Sequence, residues 1–331
     1  MNNLQGSLFL INHSKSADQT SDRVEDSMYR WYRNASVCYA YLTDVDFVEG
    51  MQVDQALRKS LWFTRGWTVQ ELLAPNYVAF CDASWRIIGD KKSAATAISE
   101  ITSIPARFLN PGTGSNASDA WIATKISWFA HRKTTRREDA AYCMLGVLQV
   151  NMPLLYGEGS TAFFRLQTEL LRKSNDQSIF VWGLRLGRLQ NANMPAKWPV
   201  FFADSSQVSR SGDSGMSYTM MHRGLELHVP AKMWLVHPVN YTVDTRYERQ
   251  MCGFLLDCEV ARDDGSRRVP CVKLVLREDI KQSTIWVRSK IALRSADEIE
   301  SVRMSSRQNQ GAKIIQSNYG NATIRIDQPV A

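Results

Sequence analysis

Residues 60–75 read SLWFTRGWTVQELLAP, and the reading of the fold starts there. Two tryptophans, an arginine and a glutamate fall within this stretch. Thr68 and Glu71 stand at S/T-x-x-E spacing, which predicts a helix opening near Thr68 behind a capping box. Leu72 and Leu73 then enter a core, and Pro75, which has no amide hydrogen to give, stops the helix. Glu71 lies on the first turn, where unpaired N–H groups and the helix dipole favour negative charge. Two roles are open to it: capping the helix, or facing a ligand between aromatic walls.

Working outward, residues 22–34 place Val24, Met28, Trp31 and Tyr32 on one helical face. The run VCYAYL at 37–42 predicts a buried strand, and Thr43-Asp44 follows at its carboxyl end. Ligands bind at such strand ends in open α/β sheets, so Asp44 is a candidate ligand residue, or else a turn former. A second strand is expected at 77–81, with a hairpin arm or sheet extension at 85–88. This helix–strand–helix–strand order argues for an α/β sheet with flanking helices. Further helices are expected at 91–101, 118–131, 135–148 (Thr135 and Glu138 again at capping-box spacing) and 160–174, and a strand at 179–182. Arg136 and Arg137 sit at a helix start, where the dipole disfavours positive charge. They call for a partner: Glu138, Asp139 or an anionic ligand. These four residues form a candidate anion or ion-pair cluster.

Character changes after about residue 183. The expected organisation is a flexible lead-in over 1–21, an α/β domain over 22–183, a linker over 184–215 and a β-rich region over 216–331. In that last region, strands are expected at 225–229, 254–260, 269–276 and 285–287, with weak candidates at 313–315 and 323–326. Asp264-Gly265 marks a hairpin.

The chain has 331 residues, 44% hydrophobic and 22% charged, an ordinary globular composition. The net charge of +7 is scattered apart from RKTTRR at 132–137, which argues against nucleic-acid binding. The six cysteines form no C-x-x-C pair and several lie in apolar runs, which points to buried free thiols in a reducing compartment. The dispersed histidines imply no metal site. The segment SLFLI at 7–11 is too short for a signal or membrane helix. A cytoplasmic location is expected. No P-loop, G-x-G-x-x-G or G-x-S-x-G is present.

MYRWYRNASVCYAYLTD at 28–44, FTRGWTVQELLAP at 63–75, SWFAHRKTTRREDAAYCMLGVLQVNMPLLYGEG at 127–159, and residues 162–182 with their ending SNDQSIFVW, taken together, resemble the fungal heterokaryon-incompatibility (HET) domain. The segments VFFAD at 200–204 and YTMMHRGL at 218–225 resemble the stretch that commonly trails it. The resemblance implies programmed cell death after fusion of genetically unlike hyphae. It also implies association with other HET or nucleotide-binding receptor-type incompatibility proteins, or with a second copy of the chain. Members usually open with strands of the types YxxLSHxWG and WIDxxCID. Neither is visible before Asp22, so the chain resembles a domain short of its first strands.

HET domains are in turn similar to TIR domains, which share an α/β sheet and can cleave NAD. WTVQEL at 67–72 resembles the TIR helix start that carries a glutamate, which places Glu71 at the catalytic position. A carboxylate there would stabilise an oxocarbenium-like transition state or position water. Trp62 and Trp67 would supply stacking surface and Arg65 a phosphate contact. The functions implied are therefore a non-enzymatic incompatibility module acting by protein association, an NAD glycohydrolase with NAD as substrate rather than cofactor, or an inert fragment of a larger gene.

Overall fold

The computed structural model describes residues 8–11, 24–110, 117–184, 195–210, 216–221, 224–229, 234–236, 248–278, 284–300 and 322–327. The chain divides into two compact units, residues 1–120 with 125–166, and residues 121–124 with 167–331.

The first unit is α/β. Its elements run β1 (Leu8–Ile11), α1 (Val24–Asn34), β2 (Val37–Tyr41), α2 (Val53–Lys59), α3 (Thr68–Leu73), β3 (Val78–Cys81), β4 (Ile87–Asp90) and α4 (Ala95–Thr102). After α5 (Ile122–Ser127), whose residues are divided between the two units, come α6 (Asp139–Tyr142), α7 (Leu145–Leu148) and the start of α8 (Thr161–Lys173). The sheet order is β1-β2-β3-β4. Only β2 and β3 are parallel, from Cys38 opposite Val78 to Tyr41 opposite Cys81; the outer pairs are antiparallel. A parallel pair needs a crossover, and residues 42–77 supply it with α2 and α3. β2 alternates, burying Cys38 and Ala40, whereas the inner strand β3 is buried at all four positions. Trp62, Phe63 and Phe80 pack ring against ring in the core, with centroids 5.0–6.0 Å apart. Behind them α1 lies against α7 at Gly146, where a Cβ would stand 2.5 Å from Tyr29 Cβ.

Several expectations change on contact with the structure. Leu8–Ile11, inside the segment read as a flexible lead-in, pairs with β2 from Leu8 opposite Ala40 to Ile11 opposite Val37. The helix expected at 118–131 shrinks to α5, and its first amides are satisfied from afar: Ile122 N donates to Asp176 Oδ2 (2.8 Å) and Ala123 N to Ser178 Oγ (3.0 Å). The helix expected over 135–148 is broken into α6 and α7. Residues 179–182 are not a strand. Asp176 accepts from Ser178 N and caps a 3-10 helix at Gln177–Phe180.

The second unit is largely antiparallel β-sheet. Its strands are β5 (Val208–Arg210), β6 (Ser217–Met221), β7 (Gly224–Val229), β8 (Trp234–Val236), β9 (Glu248–Leu255), β10 (Cys258–Ala261), β11 (Arg267–Glu278), β12 (Thr284–Arg294) and β13 (Ala322–Asp327). One sheet has the order β5-β10-β11-β9-β8 with β12 also on β11, and the other β13-β7-β6. The expected hairpin at Asp264-Gly265 joins β10 to β11, with Gly265 at φ +76°. The single strand expected at 254–260 is two, parted at Asp257, whose amide donates to Gln177 Oε1 (2.8 Å). Residues 313–315 lie outside the described residues, as do 185–194 and 211–215 of the expected linker. Cys38, Cys81, Cys143, Cys258 and Cys271 are buried. Among the described residues, no helix is long and apolar enough to cross a membrane.

Candidate functional site

The exit of β2 and the crossover that follows it build a cleft of about 410 Å³. Tyr41, Thr43 and Asp44 line it from the strand end, and Leu61, Trp62, Arg65 and Trp67 from the crossover. Lys133, Thr134, Thr135 and Asp139 complete the wall. The crossover and the basic segment are joined by main chain: Lys133 N donates to Thr64 O (2.7 Å) and Gly66 N to Lys133 O (3.0 Å). Glycine is required at this crossing, because a Cβ on Gly66 would stand 2.7 Å from Thr134 Cγ2 and 2.9 Å from Cys143 Sγ.

Five of the sequence candidates therefore meet here: Asp44, Trp62, Arg65, Trp67 and Asp139. Asp44 also has a structural task. Its Oδ1 accepts from Ser60 Oγ (2.9 Å) and its Oδ2 from Leu61 N (2.6 Å), at the start of the 3-10 helix Leu61–Thr64. Trp62 is only 2% exposed and anchors the aromatic core as well as the cleft wall. Trp67 is half-buried and stacks on none of the described rings.

Glu71 is not among the residues that line the cleft. Tyr32 OH donates to its Oε1 across a long 3.4 Å, and its Oε2 is buried with no hydrogen-bond partner. Burial raises the carboxyl pKa to about 7, while the Arg65 charge and the Tyr32 bond pull it the other way. The expected capping box does not form. Helix α3 has Trp67 as N-cap with no side-chain cap bond, because the Thr68 hydroxyl is engaged elsewhere, 2.8 Å from both Trp62 O and Arg65 O. Glu71 is thus neither a cap nor a cleft residue; it is a buried carboxyl facing α1.

The second capping box fails likewise. The buried Glu138 Oε1 accepts from Gly157 N (2.8 Å) and Gly159 N (2.9 Å); a bond from its own backbone amide, and then these two, hold its carboxyl below the usual range. Asp139 Oδ1 accepts from Tyr156 OH (3.0 Å). Arg136 lies over the Tyr156 ring, 4.4 Å from its centroid, and Arg137 is exposed. No salt bridge joins these four residues, although the Arg136 charge adds to what holds the Glu138 carboxyl down. Their acids pin the 155–159 turn, and only Asp139 reaches the cleft.

Two contributors escaped sequence reading. Arg132 Nη1 donates to Arg65 O (3.1 Å) and Thr68 Oγ1 (3.2 Å), and its Nε to Trp128 O (3.2 Å); burial draws its guanidinium down to about 10. It braces the crossover from behind, yet in RKTTRR nothing sets it apart from its exposed neighbours. Lys91 Nζ donates to Leu72 O (3.2 Å) and to Pro75 O, a cation at the carboxyl end of α3. Its pKa is lowered by burial to about 8. Among the described residues, no three His, Cys, Asp or Glu side chains converge to hold a metal.

Comparison with known proteins agrees with the words of the sequence. Residues 161–217 match the model of a domain of unknown function, DUF8212. No solved structure matches the chain. Over 140 residues, 40% of this chain and 10% of the relative, the sequence is 44% identical to the vegetative incompatibility protein HET-E-1 of Podospora anserina. The match thus spans about a tenth of that relative's length, and over that stretch the chain is similar to a heterokaryon-incompatibility protein.

Proposed function

We propose that the chain is a heterokaryon-incompatibility module of the cytoplasm that drives growth arrest and cell death through protein association. Its partners are other HET or receptor-type incompatibility proteins, or a second copy of itself. The observation that carries this reading is the 44% identity over 140 residues to a vegetative incompatibility protein. The test is inducible expression of the full chain in a filamentous fungal host, with tagged recovery of bound proteins. Growth arrest is expected from the wild type and relief from Arg65→Ala at equal protein level. A wild-type chain that neither slows growth nor recovers any partner would sink the reading.

A second reading, NAD cleavage by Glu71, draws support from one observation: its carboxyl titrates near 7, in the range that suits acid–base work at neutral pH. Against it stands the sealed Oε2, which is closed to solvent. Expression should lower cellular NAD and Glu71→Ala should restore it. Unchanged NAD with the wild-type chain removes this reading.

A further inference from the structure

The cleft's polar groups divide cleanly into engaged and open ones. Its two carboxylates are engaged, Asp44 by Ser60 Oγ and Leu61 N and Asp139 by Tyr156 OH. Tyr41 OH donates to Ala83 O, Thr64 Oγ1 to Leu61 O and Thr134 Oγ1 to Arg136 O. Arg65 is engaged as well, and the Trp62 indole N–H, though without a partner, is buried. Four groups are left open: the Lys133 ammonium, the Trp67 indole N–H, and the hydroxyls of Thr43 and Thr135. None of these has a protein partner among the described residues. Every one can donate, and only the hydroxyls can also accept. Trp67 lines the cleft and its ring stacks on no ring among the described residues, which leaves it available to a planar group. A cavity of about 410 Å³ also lies within the range of small-molecule sites.

We propose that this cleft binds a small aromatic anion, a flat ring bearing a phosphate or carboxylate, with the ring against Trp67 and the charge on Lys133. A cation beside unengaged donors favours a negative group over a neutral one, and both oxygens of Asp44 and one of Asp139 are already taken by protein donors. The Trp67 indole then selects anions that carry a ring over bare inorganic ones. The inference rests on the cleft alone and does not depend on the incompatibility reading.

The test is titration of the full chain, followed by calorimetry and tryptophan emission. The probes are phenyl phosphate, benzoate, benzyl alcohol and inorganic phosphate. Saturable binding of phenyl phosphate or benzoate is expected, whichever binds tighter naming the acid group. Benzyl alcohol and inorganic phosphate should each bind about tenfold more weakly or worse. Lys133→Ala should weaken the aromatic anion about tenfold, and Trp67→Leu should remove the preference for a ring. Thr135→Val, an exposed change, should weaken binding several-fold with unfolding unaltered. Lys92→Ala, an exposed lysine outside the cleft, should bind as the wild type does. No saturable binding of either aromatic anion would overturn the proposal. So would inorganic phosphate binding as tightly as phenyl phosphate, or Lys133→Ala binding as tightly as the wild type.

Discussion

Glu71 shows how far a side chain's role depends on which way it turns. Its position on the first turn of α3 favours negative charge, yet its surroundings favour the neutral acid, and burial wins, with a pKa near 7. The unfolded chain ionises this group at ordinary carboxyl pH while the folded chain keeps the proton. Stability therefore falls as pH rises from the ordinary carboxyl range to about 7, and above that the loss levels at roughly 3 kcal/mol. Glu71→Gln removes the loss. Urea unfolding should find the variant more stable than the wild type at pH 8 by up to about 3 kcal/mol, and the two alike at pH 4. Equal midpoints at pH 8 would mean that the carboxyl is not held neutral. Arg132 and Lys91 show the same principle in cations: each gives its hydrogens to main-chain carbonyls, so burial lowers its pKa while its position braces the crossover or closes α3.

Among elements, the legible ones were those whose own residues decide them. Helix α1 was readable from apolar spacing, α3 from its leucines and the proline behind them, and the β10–β11 hairpin from Asp-Gly. The misread ones are decided by groups far along the chain. Asp176 satisfies Ile122 N from 54 residues away, which local patterning cannot show, and two glycine amides 19 and 21 residues on take the carboxylate that a capping box would have used. The cleft was half legible for the same reason. Asp44 and residues 62–67 lie in two readable stretches, whereas Lys133, Thr135 and Asp139 join them only because the basic segment bridges to Thr64 and Gly66. Close packing of elements is sharper still. Gly146 lets α7 approach α1 so nearly that a Cβ there meets the Cβ of Tyr29, an atom too near its own backbone to swing aside. Gly146→Ala should therefore destabilise the fold by about 1–3 kcal/mol, although alanine is the better helix former. A thermal melt that moves upward instead would show that the two helices have room to separate.

At the scale of the whole molecule, the order of residues and the order of compact units differ. The expected divide lay in the 184–215 stretch, but residues 121–124 are grouped with the second unit, and the first unit resumes at 125 and ends at 166, inside α8. The reason is visible in three bonds: Ile122 N to Asp176, Ala123 N to Ser178 Oγ, and Thr124 Oγ1 to Ser205 O. A chain cut after residue 166 loses all three acceptors, leaves buried Ile122, Ala123 and Thr124 without the groups that satisfy them, and halves a helix. A chain cut after residue 183 keeps Asp176 and Ser178 and loses only Ser205. Three lengths should therefore fall in order: cooperative unfolding for the full chain, a broader transition for residues 1–183, and dye binding without a cooperative transition for residues 1–166. Calorimetry with a hydrophobic-dye titration checks the series. If residues 1–166 unfold as sharply as the full chain and bind no dye, the strand of chain at 121–124 is an accident of contact and not part of what holds the second unit together.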